Sequence, residues 1–86
     1  MEFRLSRHAH EELERRGIPL NLLERLLQEP QQVIHEAPGK KVYQSKIDFG
    51  GGKIYLLRAI VSEECDPPLV ITVYRTSKIS KYWREK

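Results

Sequence analysis

The segment Tyr74-Arg75-Thr76-Ser77-Lys78 sets a guanidinium, two hydroxyls and an ammonium close together. Read as a strand end running into a helix, it makes Thr76 or Ser77 the N-cap. The free N–H groups of such a helix start, with Arg75 and Lys78 beside them, suit a phosphate. The same residues are equally accounted for by plain capping, with Lys78, Lys81 and Arg84 as a solvated helix face opposite Ile79 and Trp83. A second group is Lys46 and Arg58 on neighbouring strands. An arginine inside an apolar strand needs a partner or an opening to water. Asp48 or Glu36 is the ordinary partner; the functional version puts Lys46, Arg58 and Arg75 on one sheet face, where they stabilise charge on a phosphoryl group during phosphodiester cleavage. His8 follows the helix cap Ser6, and an imidazole there is placed to serve as a general base, although most such histidines are surface residues. His8 and His10 lie about 200° apart on a helical wheel and cannot share one ion, so no metal site or cofactor is expected. His35 and Cys65 fall in unrelated segments and read as a strand surface residue and a loop thiol. Tyr43, Tyr55, Tyr74 and Tyr82 offer faces for base stacking, but at strand and helix spacing they fit as core rings with a hydroxyl at the edge.

The elements that must position these groups follow from the pattern of apolar residues. Ser6 caps a helix of about residues 7 to 16, with Leu5, Ala9 and Leu13 four apart and Gly17 ending it. Pro19 fits the first turn of a second helix in which Leu20, Leu23 and Leu27, with Leu22 and Leu26, form a wide apolar face closed by Pro30. From Gln31 the period changes. Val33 to Glu36 is a short strand, and Val42 to Phe49 alternates Val/Gln/Lys/Asp against Tyr/Ser/Ile/Phe, which predicts one wet face. Gly50-Gly51-Gly52 makes a hairpin loop before Lys53 to Ser62, a strand apolar on both faces except at Arg58 and therefore central. Leu69 to Tyr74 is the last strong strand, and Ile79, Tyr82 and Trp83 sit at helical spacing in a short C-terminal helix. The expected order is β-α-α-β-β-β-β-α, an α+β fold.

Size and charge bound the partners. The 86 residues suffice for a single domain that buries roughly 60% of its unfolded surface. One cysteine allows no internal disulfide, and no signal-peptide or membrane-length apolar run is present, so a reducing, cytoplasmic setting is expected. Net charge is only +3, but residues 37 to 58 and 75 to 86 are each +4 while the intervening and N-terminal blocks are acidic. If the two basic blocks meet, a polyanion has a place to sit.

Ser6-Arg7-His8-Ala9 with Arg16-Gly17-Ile18, and Val73-Tyr74-Arg75-Thr76-Ser77-Lys78-Ile79 with Tyr82-Trp83, resemble over essentially the whole chain a bacterial domain of unknown function family, number 4258. That family resembles the RelE/ParE-like toxins, including BrnT, whose fold sets two helices before an antiparallel sheet of about four strands. The resemblance implies a metal-independent ribonuclease of a toxin–antitoxin pair, in which a ribose 2′-OH attacks the adjacent phosphate, with RNA and a cognate antitoxin-like protein as partners. It implies His8 and Arg75, Thr76, Ser77 and Lys78 as site residues; Arg58 and Lys46 enter from charge alone. The last strand departs from that pattern in lacking a His or Glu as second acid/base, which leaves a tyrosine or lysine to serve. The rival expectation is a non-catalytic interaction module that binds a partner or its own copy through the strand that is apolar on both faces.

Overall fold

The computed structural model describes residues 2–85. Helix α1 (Arg7–Arg16) starts where Ser6 accepts a hydrogen bond on Oγ from the Ala9 N–H at 2.9 Å and donates its own proton to the Ile71 carbonyl at 2.7 Å. The cap therefore satisfies a free amide and ties the helix to the sheet at once. The helix ends at Gly17, whose φ of 62° lets its N–H reach the Glu14 carbonyl while the Ile18 N–H bonds that of Leu13. Ile18 is buried beside the helix it has just closed. Helix α2 (Leu20–Gln28) follows Pro19, which precedes the helix rather than lying in its first turn. Its residues Leu23, Leu26 and Leu27 are buried, each contributing about 1.5–3 kcal/mol relative to an exposed position. Leu20, expected on the same stripe, is 48% exposed.

The strands are β1 (Arg4–Leu5), β2 (Gln32–Ala37), β3 (Lys40–Asp48), β4 (Ile54–Ser62) and β5 (Leu69–Thr76), followed by the single turn α3 (Ile79–Tyr82). They form one sheet in the order β1-β5-β4-β3-β2. The α+β class and element order are as expected, but the sheet has five strands and is mixed. The short N-terminal strand pairs parallel with β5, Arg4 opposite Leu69. The central place of β4 explains its composition, since it is covered on both sides.

One face of the sheet carries Tyr43, Leu57, Ala59, Val61, Val70 and Val73, packed with Ala9, Leu13, Ile18 and the leucines of α2 into the main core. The opposite face was expected to be wet at Val42, Gln44, Lys46 and Asp48. It is wet only at Lys46 and Asp48: Val42 and Gln44 are buried, Gln44 completely. Tyr82 and Arg84, in and just after α3, reach back to Gln44 and Gln32 and cover that half of the sheet. Leu56, on the same face, is also fully buried within the single chain. No helix among the described residues is long and apolar enough to cross a membrane.

Candidate functional site

Strand parity decides which candidate groups meet. The hairpin between β3 and β4 sets Gln44 opposite Arg58, and the β4–β5 pairing sets Tyr74 opposite Arg58 and Arg75 opposite Leu57. Directly paired residues share a face, so Lys46, Arg58 and Tyr74 project on the side covered by α3, whereas Arg75 projects with Leu57 on the helix side. The expectation of Lys46, Arg58 and Arg75 on one face is thus corrected. Arg75 instead lies with its guanidinium carbon 4.5 Å from the Phe49 ring centre and 5.0 Å from that of Tyr55. Those rings meet edge to face at 5.7 Å. The pairing of β4 with β5 shifts between Ile60 and Val61, which leaves Ile71 as an extra residue.

Arg58 is the centre of the α3 side. Only 8% of it is exposed, and its partner is neither Asp48 nor Glu36. Its Nε donates to Gln44 Oε1 at 2.9 Å and its Nη1 to the Tyr74 hydroxyl at 2.5 Å. The Tyr82 ring covers the guanidinium at 4.2 Å, and Tyr74 and Tyr82 pack edge to face. Among the described residues no carboxylate pairs with this buried cation. An uncompensated guanidinium in a low-dielectric site is costly unless polar oxygens and aromatic faces stand in for water. Burial pushes the Tyr74 hydroxyl above its ordinary pKa, with the Arg58 hydrogen bond pulling the other way. Tyr82 is held below its ordinary value, first by the neighbouring Tyr74 hydroxyl.

The network continues across the sheet. Gln44 Nε2 donates to Gln32 Oε1 at 2.7 Å and to the Tyr82 carbonyl at 3.1 Å; Gln32 Nε2 donates to the Arg84 carbonyl at 2.7 Å and Gln32 Oε1 accepts from the Arg84 N–H at 3.1 Å. Lys46, exposed on the same face, holds its ammonium 4.0 Å from the centre of the Trp83 ring. At the far margin, His8 Nε2 lies 3.1 Å from Thr72 Oγ1. Thr72 pairs with Ile60 and so shares the face of Tyr74 and Arg58. It is two residues from Tyr74, about 7 Å along the strand.

The C-terminal junction differs from the expected helix-start site. Neither Thr76 nor Ser77 is the N-cap: the turn begins at Lys78 without a side-chain cap, and Thr76 Oγ1 accepts the Lys78 N–H at 3.0 Å. One turn of four residues sums almost no dipole. Ser77 and Lys78 are exposed beyond the strand end. Among the described residues no cluster of ligating side chains is arranged for a metal ion. The structure therefore joins Arg58, Tyr74, Lys46 and, at the margin, His8, and separates Arg75 from them. Gln44, Tyr82 and Trp83 belong to the assembly; Tyr82 entered the sequence reading only as a stacking face and Trp83 as an apolar helix position, and Gln44 was not singled out. Gln44 had a readable signal, because a loop from Phe49 to Lys53 with Asp48 opposite Ile54 already sets position 44 opposite 58.

A family model described as a domain of unknown function, DUF4258, matches residues 5–75. No curated protein and no solved structure matches the chain.

Proposed function

Because the chain belongs to the DUF4258 family of domains of unknown function, its activity has to be argued from its own side chains, and we propose that it is a toxin-like RNA-binding domain of the RelE/ParE-like kind that cleaves RNA without a metal. The observation that carries this reading is Arg58, a buried guanidinium held by Gln44 and Tyr74 with no carboxylate among the described residues. Structural arginines are normally neutralised; one fixed in place with its charge left over is fitted to an anion. Lys46, Lys81, Tyr74, Tyr82 and Trp83 surround it on one side of the sheet, the mixture of cations and aromatic faces that holds a flexible, single-stranded polyanion.

In the catalytic form of this reading, His8 takes the proton from a ribose 2′-OH as that oxygen attacks the adjacent phosphorus. Arg58 stabilises the charge gathering on the phosphoryl oxygens as the P–O5′ bond breaks to leave a 2′,3′-cyclic phosphate, and the departing 5′-oxygen takes its proton from water. The His8 contact with Thr72 and the Arg58 contact with Tyr74, two residues apart on one strand face, support the pairing of these two groups. Arg75 has no part in this step, because it stacks on the other side of the sheet. The single thiol, Cys65, suits a cytoplasmic protein, and an antitoxin-like partner belongs to the same reading.

The test is binding of a fluorescently labelled single-stranded RNA by anisotropy over a salt series, with product analysis with and without ribosomes. Salt-dependent binding together with cleavage lost in His8→Ala is expected. Absence of both binding and products, with harmless expression in bacteria, would end the proposal.

A further inference from the structure

Resting on the reading of Arg58 as the anion-binding group, we propose that residues 79–84 form a latched lid over it, and that an RNA phosphate engages the guanidinium only when this lid lifts. The cover is thin. It consists of the single turn α3, which has no side-chain cap, and an extended continuation in which Trp83 has φ −69° and ψ 130°. Its polar attachments to the sheet run through two glutamines: Gln44 to the Tyr82 carbonyl, and Gln32 to both the N–H and the carbonyl of Arg84. The Gln32 amide thus grips the backbone of Arg84 as a neighbouring strand would, from a position on the edge strand β2.

What lies beneath the cover is a charge rather than an apolar core. Two nitrogens of Arg58 are engaged by neutral oxygens, and no hydrogen bond among the described residues engages Nη2. No buried side-chain nitrogen or oxygen among the described residues is left without a partner, so Nη2 is not wholly buried. The Tyr82 ring closes the rest at 4.2 Å. Lifting Tyr82 exchanges an aromatic contact for access of a phosphate oxygen to Nη2, a charge-assisted hydrogen bond. The chain therefore has two arrangements, one closed by Gln32 and Gln44 and one open to an anion, and the apparent affinity is reduced by the fraction closed. Gln32 is a positioning residue: it touches the lid and Gln44, not the anion.

The experiment uses the full chain and its single tryptophan, Trp83, which lies in the lid. Acrylamide quenching of Trp83 and pyrophosphate binding are measured for the natural chain and for Gln32→Ala, with far-ultraviolet circular dichroism as the check on folding. We expect quenching to rise about two-fold or more and pyrophosphate to bind about 3- to 10-fold more tightly once the latch is removed. Should Gln32→Ala fail to fold, Arg84→Pro, at a position whose preceding residue is already extended, removes the Arg84 N–H, and it is compared with Arg84→Ala, which loses the same charge but keeps the N–H. Freed Trp83 with unchanged or weaker pyrophosphate binding overturns the lid and leaves the Arg58 reading standing. Unchanged quenching overturns the lid as well. Binding by neither protein overturns both.

Discussion

Arg58→Met separates a functional guanidinium from a structural one, because the two roles predict opposite patterns. The substitution keeps an unbranched stem of comparable volume but removes the charge and every N–H donor. It loses two hydrogen bonds from a charged donor, to Gln44 and Tyr74, each worth about 1.5–3 kcal/mol. It also loses the Tyr82 stacking at 4.2 Å, worth about 2 kcal/mol when desolvated. Against this stands release from burying a cation that has no carboxylate partner among the described residues, a penalty of several kcal/mol. The opposing quantities are of similar size, so the net change in stability is expected within about 2 kcal/mol of zero. With a urea slope of about 1 kcal/mol per molar, the midpoint moves by less than about 2 M. RNA binding has no such offset: losing one charge-assisted contact of about 1.5–3 kcal/mol weakens it roughly 10- to 150-fold. Anisotropy at fixed salt and urea unfolding monitored by circular dichroism measure the two quantities on one preparation. A loss of stability above about 3 kcal/mol with RNA affinity intact would refute the reasoning, because Arg58 would then be a strut for the C-terminal segment.

Other outcomes follow from the same geometry. Arg75→Ala removes a cation stacked on Phe49 and Tyr55, so it is expected to cost about 1 kcal/mol in chemical unfolding while leaving RNA affinity within two-fold. The Glu12 carboxylate is held down to about 2 by hydrogen bonds from Arg16 and then Arg15. Its stabilising contribution is complete above the ordinary carboxylate value and is lost as pH falls through the lowered one, so a melting-temperature profile from pH 5 to 2 should fall less steeply in Glu12→Gln. Gly17 at φ 62° meets open space, whereas a Cβ at Gly39, φ 77°, would meet Glu64 Cγ at 2.7 Å and Cδ at 2.9 Å. Gly17→Ala is expected to cost about 1 kcal/mol and Gly39→Ala more, and urea midpoints that reverse this order would contradict the assignment.

Local chemistry made much of the fold legible. Ser6 and Gly17 bracket α1 at the residues observed, and the doubly apolar β4 does lie in the middle of the sheet. What was hidden depended on pairings between distant segments. Two alternating residues in β1 give no sign that they will lie parallel to β5. Arg58 and Arg75 were each recognisable as chemical groups, yet their sides are set by the β4–β5 register, with its extra residue at Ile71, and not by either local sequence. Gln44 looked wet because its neighbours Lys46 and Asp48 are; its burial comes from a segment 38 residues later in the chain. The supposed helix start at Thr76 failed on a local competitor, a side chain that takes an amide into its own turn.

The position of β5 between β1 and β4 bears on how the chain is made. A chain leaving the ribosome releases α1 and its cap residue early, but the Ser6 hydroxyl bonds Ile71, 65 residues later. Until that segment emerges, β4 is an edge strand with apolar residues on both faces, a surface prone to pairing with other chains. The last strand adds at that rim, and only then can β1, which pairs with nothing else, join the sheet. Folding is accordingly a late, nearly all-or-none event, dominated by contacts between distant parts of the sequence. A nascent chain halted before Thr76 has the sequence of most of the domain and little of its protection.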